Sequence, residues 1–240
     1  MHQSRLNFPV MSRKGKEPAV SDDKPNSPGL STAFSEPEFA PTPEPLPSSK
    51  EAKSTDQETS ISKPPTLILT SHHGSLFSAP TNTVLIHACN TQGSWGAGIA
   101  AAFRSQYPSA YKVYRDHCIR QHDSSSSPVP TGTCLLIPPC ETKSSAPKHW
   151  IGCLFTSARY GKRKDGPAEI LQNTERAMRA LLEQVRNIEA SGKDVGGLWM
   201  CRINSGKFGV KWGRTADVLK KVEVKEGEKE EVQVWAIEDD

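Results

Sequence analysis

The chain has 240 residues, 35% of them hydrophobic, with a net charge of +3 and a mean hydropathy of -0.56. So small a charge gives no electrostatic footprint for nucleic acid, and no apolar run approaches the roughly 20 residues that span a bilayer. Neither nucleic acid nor a membrane is therefore an expected partner. The start, Met1-His2-Gln3-Ser4-Arg5, lacks the apolar core of a secretory leader, and the six cysteines include no C-x-x-C pair. Cys89, Cys134, Cys153 and Cys201 sit in or beside apolar runs. The expectation is a cytoplasmic or nuclear protein, not secreted, with buried free thiols and no zinc site.

Residues 1–63 are rich in Pro, Ser, Lys and Glu, and Pro41-Thr42-Pro43-Glu44-Pro45-Leu46-Pro47 suits extended polyproline. Such a segment buries too little apolar surface to offset its ordering entropy. It is expected to be a disordered tail, with protein docking as its possible use. One domain is expected over 64–240. Thr66–Thr70 predicts a strand, and His72-His73-Gly74-Ser75-Leu76-Phe77 the loop after it. Neighbouring side chains of an extended segment point opposite ways, so the two histidines make a poor pair of metal ligands.

Val84-Leu85-Ile86-His87-Ala88-Cys89 predicts a buried strand, and Ile99 onward a helix to about 106. Between them lies Asn90-Thr91-Gln92-Gly93-Ser94-Trp95-Gly96-Ala97-Gly98. A strand feeding a glycine loop and then a helix N-terminus forms an anion site, because close backbone, unpaired N–H groups and the helix dipole all favour negative charge. The order G-x-x-G-x-G fits neither a P-loop, which needs Lys and Ser/Thr after its last glycine, nor the dinucleotide fingerprint. Pro108 predicts the first turn of a second helix carrying Ala110, Tyr111, Tyr114 and Cys118, followed by a serine-rich loop.

Strands are expected at 132–137 and 150–156, the second apolar enough to be covered on both faces. The second exits into Ser157-Ala158-Arg159-Tyr160-Gly161-Lys162-Arg163-Lys164-Asp165-Gly166. This basic loop is either a solvated face or, beside the glycine loop, a device that concentrates phosphate. A helix is predicted over 167–190, with Ile170, Leu171, Thr174, Ala177, Met178, Leu181, Leu182, Val185 and Ile188 at helical steps. A strand follows over 196–203, then Asn204-Ser205-Gly206-Lys207-Phe208-Gly209-Val210-Lys211-Trp212, which repeats the anion-site logic. A helix over 213–222 and a strand over 232–237 complete the pattern. Alternating strands and helices give an α/β sandwich with a mostly parallel sheet, whose ligands sit beyond the carboxyl ends of strands.

His87-Ala88-Cys89-Asn90, Gly93-Ser94-Trp95-Gly96-Ala97-Gly98-Ile99-Ala100, Leu154-Phe155-Thr156-Ser157 and Ile203 to Trp212 together resemble the macrodomain family, in particular its fungal ADP-ribose 1″-phosphate phosphatases. The resemblance covers about residue 66 to the end. It implies a three-layer α/β/α sandwich with a mixed, mostly parallel central sheet, and an ADP-ribose derivative as small-molecule ligand with no further cofactor or metal. Gly93 to Ile99 and Ile203, Asn204, Ser205, Gly206, Lys207, Phe208 and Gly209 would wrap the diphosphate and distal ribose, with Ala88, Cys89 and Ser157 alongside. Gly74-Ser75-Leu76 stands where many macrodomains carry Gly-Asp-Ile, so Ser75 replaces the adenine-contacting Asp.

The activity implied is removal of the 1″-phosphate from ADP-ribose 1″-phosphate, a by-product of tRNA splicing, with water as nucleophile. His87 is the expected general acid or base, since an imidazole moves protons near neutrality, and Asn90 is expected to orient the distal ribose or the 1″-phosphate. A branch that removes ADP-ribose from glutamate side chains uses a Lys after the strand at 151–156 and an Asp in the last loop. Here Ser157 or Ala158 and Phe208 occupy those places, which disfavours that mechanism. ADP-ribosyl hydrolase activity on ADP-ribosylated protein by another route stays open, and a module that only binds ADP-ribose is the other alternative.

Overall fold

The computed structural model describes residues 64–123 and 126–237; the Pro/Ser-rich tail lies outside the described residues. Six strands form one sheet: β1 Ile68–His73, β2 Val84–Asn90, β3 Cys134–Ile137, β4 Trp150–Ser157, β5 Leu198–Cys201 and β6 Glu231–Ala236. Their order is β1-β6-β5-β2-β4-β3, and every pairing is parallel except β3 with β4. The helices are α1 Ile99–Gln106, α2 Pro108–Asp116, α3 Pro167–Ala190 and α4 Trp212–Leu219.

The central strands, β2 and β4, are buried along nearly their whole length, as their near-continuous apolar runs require. Period-two alternation divides their side chains between two cores. Val84 and Ile86 pack with Leu154, Met178, Leu181 and Val185 on the α3 side, while Leu85 and Cys89 pack with Trp95, Phe103, Tyr114, Cys153 and Phe155 on the α1–α2 side. α3 buries nine residues along one stripe, from Ile170 to Val185. At about 1.5–3 kcal/mol for each large apolar side chain, that stripe fixes the helix against the sheet far more firmly than helix propensity does.

Three expectations shift. β1 runs through His73 instead of stopping at Thr70, because its ladder with β6 pairs Ile68 to Glu231 and continues to His73 against Ala236, past the end of the apolar run. His72 therefore lies in a strand, stacked on Trp235 at 4.9 Å. β3 starts at Cys134, where antiparallel pairing with Leu154 begins, and not at Gly132, which has φ +79°. β5 is confined to Leu198–Cys201, the stretch that pairs with β6. Beyond α2 the chain adds one wide turn, His117–Gln121, that helical spacing alone did not foretell.

Candidate functional site

The carboxyl ends of β2, β4 and β5 open into one cavity of about 1030 Å³. Ala88 and Asn90 of β2 line it, followed by Ser94, Gly96, Ala97 and Gly98 of the next loop and Ile99 and Ala100 of the first turn of α1. The loop after β5 supplies Ile203, Asn204, Ser205, Gly206, Lys207 and Phe208 from the other side, with Cys201 and Arg202 before it. Tyr160, Gly161, Lys162 and Lys164 close the rim. The two glycine loops expected from sequence thus face one space.

Asn90 builds the first loop from within. Its Oδ1 accepts from the N–H groups of Gln92 (2.9 Å) and Ser94 (3.3 Å), and its Nδ2 donates to Ser94 O at 2.6 Å. The Tyr114 hydroxyl donates to Asn90 O at 2.6 Å. One Asn90 N–H is left over from this set. Gly98 then turns the chain at φ +57°, and α1 starts with no side-chain cap and no acid in its first turn. Ile99 and Ala100 of that first turn border the cavity at the positive end of the helix dipole, while Ala101 N–H donates to Gly98 O at 3.1 Å.

Asn204 anchors the second loop. It sits at φ +65°, accepts from Thr156 Oγ1 at 3.0 Å and donates to Thr174 Oγ1 at 2.9 Å. Thr174 in turn donates to Ile170 O at 2.7 Å, and Asn173 Nδ2 donates to Thr156 O at 3.1 Å. All four side chains are buried. This network ties β4, α3 and the loop together, and each polar group in it would be costly to leave unpaired.

The basic loop after β4 is shaped by its own polar residues. Ser157 Oγ accepts from Asp165 N–H at 3.0 Å and donates to Arg159 O at 2.8 Å, and Asp165 Oδ2 accepts from Ala158 N–H at 2.7 Å. Thr91 Oγ1 donates to Ala158 O at 2.9 Å and so links it to the first glycine loop. The basic loop thus borders the cavity beside the first glycine loop.

Several expected site residues lie elsewhere. His87 is fully buried on the α1–α2 side of β2, its ring stacked on Phe103 at 4.1 Å and edge-on to Trp95 at 4.8 Å. Strand alternation that brings Ala88 and Asn90 to the cavity turns His87 and Cys89 away from it, so the expected general acid or base does not border the cavity. Trp95, 1% exposed, is core and stacks on Tyr114 at 5.0 Å. Gly93 packs against Cys118 and Ile119, and Gly209 beside Lys164. Ser157 is buried beneath its loop. Gly74 turns against the Trp235 ring, Leu76 is buried, and Ser75 Oγ accepts from Phe77 N–H at 3.2 Å to cap the single turn Leu76–Ser78. That hydroxyl is occupied by the cap, and the segment does not line the cavity.

His87, Cys89 and Cys153 bring three donor atoms within 4.8 Å of one another. Spacing along the chain did not foretell this group, because β4 supplies Cys153 opposite His87. Burial pushes the Cys89 thiol up, but the neighbouring Cys153 thiol and His87 ring outweigh it and hold it below the usual thiol range. Cys89 faces core, away from the cavity. Cys201, which does line the cavity, is pushed by burial up to about 12 and stands there as a neutral thiol. The lining residues that were missed are Ala100, Tyr160, Gly161, Lys162, Lys164, Cys201 and Arg202, most of them placed by loops whose direction sequence does not give.

A Macro domain family model matches residues 86–219. A protein named ADP-ribose 1″-phosphate phosphatase from Chaetomium globosum is 47% identical over 169 residues, which cover 69% of this chain and 89% of that protein. One of the same name from Aspergillus oryzae is 44% identical over 170 residues, covering 61% of this chain and 85% of its own. Among solved structures, the macrodomain of Thermus aquaticus DarG aligns with a TM-score of 0.53 at 20% identity, over 70% of this chain and 98% of its own, and supports the fold alone. Together the residues 86–219 and the relatives that share them place the chain in the macrodomain family.

Proposed function

We propose that this protein hydrolyses ADP-ribose 1″-phosphate to ADP-ribose and inorganic phosphate. The observation that carries the reading is the convergence of both glycine loops, with Asn90 and Asn204, on one cavity. Relatives at 42–47% identity that bear the name of this activity support it. In this reading backbone N–H groups of 96–99 and 205–208 hold the diphosphate and distal ribose. Asn90 keeps the first loop in register and offers its remaining N–H to the ribose or the 1″-phosphate.

Among the described residues the lining holds no Asp, Glu or His. Rate enhancement would then come from holding the phosphate in line with a water and from fixed dipoles that stabilise developing charge. The water supplies the oxygen of the new P–O bond, the bond to the 1″-oxygen breaks, and that oxygen takes up a proton. His87 acts in this scheme as a positioning residue behind the loop, through Trp95 and Phe103. The same lack of a carboxylate or imidazole in the lining favours one rival, a module that binds ADP-ribose without turnover. Incubation of the purified chain with ADP-ribose 1″-phosphate decides between them. Catalytic phosphate release is expected; tight ADP-ribose binding without release would establish the rival.

A further inference from the structure

The charge around the cavity is one-sided. Lys162 and Lys164 border it from the loop after β4 and Lys207 from the loop after β5. Among the described residues no carboxylate pairs with any of the three. Asp165, the acid nearest in sequence, is turned to the base of its loop, where it accepts from Ala158 N–H at 2.7 Å. Two of the lysines cross to the neighbouring loop. Lys207 Cγ stands 3.8 Å from where a Cβ at Gly98 would be, and Lys164 Nζ stands 4.0 Å from the same position at Gly209.

Three lysines bordering one cavity place like charge around it, and an anion there is favoured by all three. A diphosphate already has the backbone N–H groups of both loops. The lysines are therefore surplus to a bare nucleotide sugar, and match a ligand with a further phosphate monoester, which adds about -1.5 to -2 charges at neutral pH.

We propose that Lys162, Lys164 and Lys207 form a collar that recognises a terminal phosphate monoester and so separates the phosphorylated nucleotide sugar from the dephosphorylated one. This rests on the phosphatase reading above. It also gives the product a route out, since loss of the phosphate removes the group the collar holds.

The test is phosphate-release kinetics on the full chain, with ADP-ribose as competitive inhibitor, for the wild type and for Lys162→Gln/Lys164→Gln/Lys207→Gln. The triple variant is expected to raise KM for ADP-ribose 1″-phosphate by about 10- to 100-fold while the inhibition constant of ADP-ribose moves less than about 3-fold. Retained ADP-ribose inhibition also shows that the variant is folded. Equal increases in both constants would assign the lysines to the diphosphate and overturn the collar, as would no change in either. If the wild type binds ADP-ribose but releases no phosphate, the phosphatase reading fails by itself. Direct titration with the two ligands then reads the collar. A preference of about tenfold for the phosphorylated ligand, lost in the triple variant, sustains it, and equal wild-type affinities overturn it.

Discussion

Two asparagines, one ending β2 and one in the loop after β5, shape the two glycine loops through hydrogen bonds. Asn90 spends three hydrogen bonds on its own loop. Asn90→Ala is expected to weaken ADP-ribose binding by about tenfold or more, read by calorimetric titration, because the loop loses its internal staple. Asn204→Ala would strand Thr156 and Thr174 in the core, at a cost of about 1–3 kcal/mol, seen as a lower denaturation midpoint. For His87 the structure distinguishes two kinds of loss. Packed on Phe103 and Trp95, it should act through the loop, so His87→Ala should lower thermal stability and ADP-ribose affinity together. A fall in kcat with ADP-ribose affinity and melting temperature unchanged would return the imidazole to the chemistry.

Among the elements, the loop–helix junction at Gly98 brings the chain from the first glycine loop into α1 at the cavity. Its φ of +57° suits glycine, and a Cβ there would enter the space between Lys207 and the first turn of α1. Gly98→Val is expected to cost about 1–2 kcal/mol in backbone strain and to abolish detectable ADP-ribose binding while the fold persists by circular dichroism. The helices and strands themselves were largely legible: the apolar steps of 167–190 gave α3 at its observed limits, and Pro108 gave the start of α2. Strand ends were less so, since β1 stops where β6 stops pairing with it, a fact of partner and not of composition. The alternation along β2 also carried more than was drawn from it. Ala88 borders the cavity, and alternation along β2 then turns His87 and Cys89 to the other face. The basic loop could not be placed from sequence, because its contact with the first glycine loop depends on Thr91 meeting Ala158 across the sheet edge.

At the scale of the molecule, the sheet joins two cores, and the thiols buried in and beside them set an alkaline limit. Burial pushes Cys118 and Cys201 up to about 12, and raises Cys134 and Cys153 as well. Below about pH 9 these thiols are protonated in both folded and unfolded chains, so their contribution is intact. Above it the unfolded chain ionises and the folded one does not, which costs up to about 1.4 kcal/mol per thiol per pH unit. Cys89, held low, contributes the other way as pH rises toward 9, but is one against five, since Cys140 is raised as well. The denaturation midpoint should therefore drop steeply between pH 9 and 11 under reducing conditions; a flat profile there would contradict the buried-thiol account. The central claim, however, is that two loops more than a hundred residues apart in sequence hold one ligand. Backbone amide chemical shifts of the labelled protein, followed as ADP-ribose is added, test it most directly. Shifts at 93–99 and at 204–209 should saturate together with one dissociation constant. Shifts confined to one loop, or two loops titrating with different constants, would contradict a shared site.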